Sequence, residues 1–179
     1  MICLLLFSGC TISSGGIDRA IELRQRFQSA DGCQFDCTVQ ADYGEYLFTF
    51  GLSCKASVDG TIQFLVTKPD SVNGITGYID NKGGKLTFDD QVLAFPPLAD
   101  GYLSPVIAPW LLVKALSNGY ISYVDASDGE IIIGFDDSFH QKPLQTRLRL
   151  DDTNTPVGCE FIWHNVCIVS MQISNYTYL

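Results

Sequence analysis

Near residue 32 the hydrophobic period of this chain changes from helical to twofold, and that change limits what it can fold into. Before it, Ile17 to Ala30 reads as a helix: Ile17, Ala20, Ile21 and Phe27 make one side apolar, while Arg19, Glu22 and Arg26 suit the other. Asp31-Gly32 ends that helix. After it, Phe35, Cys37, Val39 and Ala41 alternate with Asp36, Thr38 and Gln40. A turn at Asp42-Tyr43-Gly44-Glu45 sends the chain back, and Tyr46, Phe48, Phe50, Leu52 and Cys54 alternate in the same way. The expected register sets Ala41 opposite Tyr46, Val39 opposite Phe48, Cys37 opposite Phe50 and Phe35 opposite Leu52. Every apolar residue then shares one face, the condition that fixes strand register. The same register sets Cys33 opposite Cys54, either as a cross-strand disulfide or as two buried thiols.

More short strands follow, separated by Gly, Asp and Asn turns. They are Thr61–Thr67, Gly74–Asp80, Lys85–Phe88 and Gln91–Phe95, then Tyr120–Val124, Glu130–Phe135, Leu144–Leu150 and two arms around His164-Asn165. That rhythm predicts a meandering antiparallel sheet. One interruption stands out. Ser104-Pro105 opens a helix through about Leu116, closed by Asn118-Gly119, and Pro109 allows its start to be a separate turn. Val106, Ile107, Trp110, Leu111, Leu112, Val113 and Leu116 make it apolar nearly all round, so it must be covered on most sides or cover something apolar itself. The fold class read from these elements is mostly β with two helices (α+β), in one domain.

Charged residues are 17% of the chain against 46% hydrophobic, which favours a packed domain over disorder. The net charge of −9 repels nucleic acid phosphates and anionic headgroups, and no basic cluster offsets it. Nucleic acid is therefore excluded as a partner, and any membrane attachment must come from acyl chains.

The start supplies such an attachment. In MICLLLFSGC an apolar run ends in Leu6-Phe7-Ser8-Gly9-Cys10, with small residues at the two positions before the cysteine. That is the spacing of a bacterial lipobox, at which the thiol is lipidated and the chain is cut in front of it; the plainer reading is a short buried strand, against which the polar stretch Thr11–Gly16 that follows at once speaks as a tether. No Lys or Arg precedes the run, although a secretory signal carries a positive n-region, so a signal shortened at its start is expected at residues 1–9. A polar tether at 10–16 and a folded domain at 17–179 complete the expected organisation. Each buried methylene of an acyl chain contributes roughly 0.8 kcal/mol, so two or three chains on Cys10 anchor the domain firmly. The expected place is outside the cytoplasm, where disulfides are permitted, and the expected state is monomeric.

Signals of chemistry are thin. The sequence has two histidines, His140 and His164, and no nucleophile elbow, Walker A or dinucleotide fingerprint. Lys82-Gly83-Gly84-Lys85-Leu86-Thr87 lacks the leading glycine of a phosphate loop and reads as a hairpin turn. Cys159, His164 and Cys167 have a loose zinc spacing, and buried or disulfide-bonded cysteines are the simpler reading. Asp125, Asp128 and Glu130 lack the order of a calcium loop and read as a solvated turn. No cofactor, metal or enzymatic activity is expected.

The order of these elements resembles the bacterial lipoprotein carrier and receptor family, LolA and LolB, and related lipoproteins. The residues that carry the resemblance are "RQRF" at the end of the first helix, the strand G-T-I-x-F-x-V-x-K-P and the "Y-I-D-N" hairpin. The apolar "SP…WLL" helix and the ending "T-P…F-I-W-H-N…V-S-M-Q-I-S-N-Y" complete it. The resemblance implies a curved antiparallel half-barrel whose helices plug the concave face over an apolar cavity for acyl chains of lipid or lipoprotein. Phe35, Val39, Tyr46, Phe48, Phe50 and Leu52 are then either cavity wall or ordinary core, and Trp110, Leu111 and Leu112 are candidates for its lid. The soluble carrier of that family is not lipidated, so Cys10 points to an anchored receptor or lipid-handling lipoprotein. The alternative is a structural or protein-interaction envelope lipoprotein with no ligand.

Overall fold

The structure, a computed structural model, describes residues 14–95, 98–99, 102–127, 130–137 and 144–179. The expected signal at 1–9 and the lipidation site Cys10 lie outside these residues, as does the tether up to residue 13. Residues 14–16 of that expected tether form the first turn of a helix, α1 (Ser14–Ser29). Six strands follow: β1 (Gly32–Asp42), β2 (Leu47–Ser57), β3 (Ile62–Lys68), β4 (Thr76–Asp80), β5 (Gly83–Phe88) and β6 (Gln91–Phe95). The short β7 (Leu98–Ala99) and β8 (Tyr102–Leu103) pair with each other. A 3-10 turn (Pro105–Ile107) leads into α2 (Ala108–Asn118). The chain ends with β9 (Tyr120–Ser127), β10 (Glu130–Asp136), β11 (Gln145–Leu150), β12 (Pro156–Trp163) and β13 (Val166–Tyr178).

Eleven strands make one curved, open antiparallel sheet in the order β6-β5-β4-β3-β2-β1-β13-β12-β11-β10-β9, with the helices on its concave face. This is the α+β half-barrel the sequence resemblance implies. Each half is an up-and-down meander, and the two meet where the first strand pairs with the last. Cys33 lies opposite Tyr178 there, and Ala41 opposite Val169. α2 connects β6 to β9, the two open edges, so it spans the concave face and packs against both halves. Ala108, Pro109, Trp110, Leu112, Val113, Ala115 and Leu116 are all buried. That position accounts for the near all-round apolarity of α2. Pro109 sits in its first turn, where a missing N–H costs nothing.

Two expectations need correction. The turn of the first hairpin is Tyr43–Tyr46, closed by the Tyr43 N–H on the Tyr46 carbonyl at 3.0 Å, not Asp42–Glu45. Ala41 therefore faces Phe48, Val39 faces Phe50, Cys37 faces Leu52, Phe35 faces Cys54 and Cys33 faces Ala56. The slip is two residues, so every side chain keeps its face, and alternation alone cannot detect it. Cys33 and Cys54 are consequently not opposite each other, and both are free, buried thiols. The second correction concerns α1. Its buried stripe is Gly16, Ala20, Leu23 and Phe27, while Ile17 and Ile21 are 43% and 45% exposed. Ile17 and Ile21 also share a face, four residues apart, but it is the stripe of Ala20, Leu23 and Phe27 that packs against the core.

Polar groups fix α1 to the second half. Arg19 donates to the Asp151 carbonyl at 2.6 Å and to Asn154 Oδ1 at 3.3 Å, and Asn154 Nδ2 returns a bond to the Arg19 carbonyl at 3.1 Å. Asn154 is 6% exposed with φ of 66°, a conformation that asparagine tolerates well.

Candidate functional site

The residues expected to wall a cavity divide by depth. Phe35, Val39, Leu52, Trp110 and Leu112 are buried in the core, and Phe50 and Leu111 pack against it. α2 is held by hydrogen bonds at its two ends. Trp110 Nε1 donates to the Gly60 carbonyl at 3.0 Å, while Arg24 donates to the carbonyls of Ala115 and Gly119. Between these points Leu112 and Val113 meet the core through apolar contact alone, since their backbone groups are used within the helix. Beside its C-terminal half is a hollow of about 110 Å³, with Leu111, Ala115, Phe135 and Leu144 in its lining and Lys114, Asp136 and Asp137 among its polar residues. The Arg24 guanidinium stands 5.6 Å from the Phe135 ring, and burial pulls its pKa below the usual arginine range.

The cysteines belong to the same core. Cys33, Cys37, Cys54 and Cys159 are buried, and Cys167 is exposed. Burial pushes the Cys33 thiol up to about 11, and contact with Cys37 together with burial pushes Cys54 well above its ordinary value. Desolvation does the same to Cys159. Cys159 faces inward opposite Met171, whereas His164 occupies a hairpin turn and stacks on Trp163 at 4.7 Å. Among the described residues no group of three His, Cys, Asp or Glu is placed to hold a metal. Of the candidate calcium ligands, Asp128 lies outside the described residues, as does His140.

Tyr46 and Phe48 are not in the core. They stand at the tip of the first hairpin, 63% and 42% exposed, with Leu47 between them at 62%. Because Ala41 pairs with Val169, the β12–β13 tip lies at the same end of the sheet, where Trp163 and Val166 are 41% and 60% exposed. Both tips are tight turns; His164 and Asn165 take φ of 51° and 64°, as a two-residue hairpin turn requires. Two neighbouring hairpins thus present an apolar, partly aromatic end to solvent.

The outer face of the sheet, opposite the helices, carries a trough of about 920 Å³. Register explains it. One row running across the strands is Gln34, Lys55, Gln63, Tyr78 and Lys85. The adjacent row is Asp36, Ser53, Leu65, Thr76, Thr87 and Val92. Short Ser and Thr side chains beside long Lys, Gln and Tyr ones leave a channel perpendicular to the strands. It crosses six strands, roughly 24 Å at the usual inter-strand spacing. At its β1 end Asp36 accepts a hydrogen bond from Asn175 Nδ2 at 2.8 Å. Asn175 has φ of 53° at the β-bulge of β13, which turns its amide outward while Tyr176 stacks inward on Phe35 at 5.8 Å. At the β5–β6 end a second hollow of about 540 Å³ shares Tyr78 and Lys85 and adds Lys82. The sequence held no signal for this trough, because its residues alternate singly on six separate strands and meet only through register.

No protein-family model matches the chain, and no curated protein matches it. Among solved structures the chain is similar to an uncharacterized conserved protein from Thermus thermophilus, at 11% identity over 89% of this chain and 87% of that one, with a TM-score of 0.49. It is similar to a LolA superfamily protein from Nitrosomonas europaea, at 8% identity over 88% and 92%, with a TM-score of 0.46. It is similar also to LprF from Mycobacterium bovis, at 14% identity over 92% and 93%, with a TM-score of 0.46.

Proposed function

We propose that this protein is a non-enzymatic binding protein of the bacterial envelope, anchored outside the cytoplasm through Cys10, which takes acyl chains of lipid or lipoprotein beneath α2. One observation carries the reading: α2 packs against strands of both halves of an open curved sheet, and among the described residues the side-chain hydrogen bonds that pin it lie near its ends. An acyl chain can replace the apolar contacts between those points without leaving a polar group unpaired. The hydrophobic effect, roughly 25 cal/mol per Å² of apolar surface removed from water, supplies the affinity without chemistry. The hollow of about 110 Å³ is the point of entry. Ligand sites usually enclose about 300–1,000 Å³, so binding a whole chain requires α2 to shift.

Native mass spectrometry of protein produced in bacteria tests this. The expected result is a lipid adduct released on denaturation, with uptake of a fluorescent fatty acid that Leu111→Asp weakens. Absence of both adduct and uptake overturns the proposal. A second reading, an interaction lipoprotein without ligand, draws on the exposed end formed by Tyr46, Leu47, Phe48, Trp163 and Val166. Exposed apolar clusters of this kind mark contact surfaces. This reading expects an apo protein that loses a partner when the tips are made polar.

A further inference from the structure

We propose that the outer-face trough is a second binding site, separate from the space beneath α2, and that it takes a linear acidic polysaccharide. The trough is long, open and made wholly from side chains, because the face of a sheet offers no free backbone ladder. It therefore suits a polymer that is recognised by its own hydroxyl and charged groups. Tyr78, 38% exposed near the middle of the long-side-chain row, gives a ring against which a sugar can lie. Lys55 and Lys85 flank it in the same row, three strand intervals apart or about 14 Å. Neither is in an ion pair among the described residues, where the salt bridge found is Arg26–Glu22. Lys82 extends the charge into the adjoining hollow. Three of the chain's eleven basic residues thus gather at one groove of a molecule whose net charge is −9. Two acidic groups share these linings: Asp36 is at the far end and is bonded to Asn175, and Asp80 lines the adjoining hollow, where its carboxylate accepts from the backbone N–H groups of Lys82 and Gly83.

The lining decides between ligand classes. An acyl chain needs a dry apolar wall, but Leu65 lies between Ser53 and Thr76, and Tyr78 between Gln63 and Lys85. A nucleic acid strand is held by stacking successive bases on successive rings, and the exposed ring in this lining is Tyr78 alone. An extended peptide finds no backbone groups here to pair with. Hydroxyls, side-chain amides, one ring and spaced cations fit a chain of sugars bearing carboxylates or other anions.

The test uses the intact protein with oligogalacturonate as probe, followed by NMR shifts and calorimetry. Dextran, polyglutamate and a single-stranded DNA oligomer serve as comparisons. The expected result is binding of oligogalacturonate that localises to β2–β5 and falls roughly tenfold, about 1.4 kcal/mol, in Lys55→Gln/Lys85→Gln. It also falls in Tyr78→Ala, and it weakens as salt shortens the Debye length from about 30 Å at 0.01 M to about 3 Å at 1 M. All three side chains are exposed, so unchanged thermal unfolding shows that the variants fold. Absence of binding overturns the proposal, as does binding indifferent to these substitutions. Tighter binding of polyglutamate or DNA than of oligogalacturonate also overturns it. Fatty-acid uptake in the same variants keeps this result distinct from the α2 site.

Discussion

At the scale of the residue, two kinds of buried group control stability. Asn154 is a buried polar side chain whose bonds are all made within the Arg19–Asp151 cluster. Asn154→Gly keeps the left-handed backbone but leaves Arg19 short of one acceptor and the Arg19 carbonyl short of one donor. It should destabilise the protein by about 1–3 kcal/mol, read as a lower urea midpoint at constant slope. The thiols act through protonation. Cys33 titrates near 9.0 when unfolded and at about 11 when buried. Its contribution is fully present below pH 9 and is lost as pH rises towards 11, about 2–3 kcal/mol for a two-unit shift. Cys54 and Cys159 shift in the same direction and add to the loss. Urea midpoints should therefore be flat from pH 7 to 8.5 and fall between 9 and 11. Among the described cysteines, labelling of the native protein by a thiol reagent at pH 8 should find Cys167 first and the four buried thiols only after unfolding. Burial of Cys37 and Cys54 was legible from alternation, since each sits at an apolar position of a strand, but Cys167 holds such a position too and is exposed beside the β12–β13 turn. The pairing of the cysteines was not legible, because a two-residue slip leaves every face unchanged.

At the scale of the element, the hairpins and α2 differ in what a substitution does. Leu112 is fully buried in α2, and Leu112→Ala should cost about 2–5 kcal/mol by removing apolar contact and leaving a cavity. The hairpin tips should behave in the opposite way. Leu47→Ser with Val166→Ser changes exposed residues and should move stability by no more than about 0.5 kcal/mol each. Any loss of partner or vesicle binding in that variant then belongs to the surface. The boundaries of most strands were legible from turn residues, and β6 (Gln91–Phe95) lies where the spacing of turns sets it. Pro109 correctly marked a separate opening turn before α2. The buried face of α1 was misread because Ile17 and Ile21 are large and apolar yet face outward, whereas Gly16 approaches Val124 closely. Helical period identifies a stripe, but the neighbour across it selects which stripe is buried.

At the scale of the whole molecule, β1 and its partners β2 and β13 lie at the centre of the sheet, and β6 and β9 at its edges. Amide exchange should be slowest in β1, β2 and β13 and fastest in β6, whose Val92 and Leu93 are 65% and 64% exposed. Uniform protection across all strands would contradict that order. Sequence alone determined the class of this protein: antiparallel meanders with two helices, a buried face on each strand, an acidic surface and few groups suited to catalysis. Those properties follow from local period, turn chemistry and composition. Only the tertiary structure decided that the first strand pairs with the last and that α2 packs against both halves of the sheet. It alone decided that the hairpin tips stand side by side and that Lys55, Tyr78 and Lys85 share one row. Each of these depends on register between strands distant in sequence, and a period of two fixes the face of a side chain without fixing the neighbour it meets.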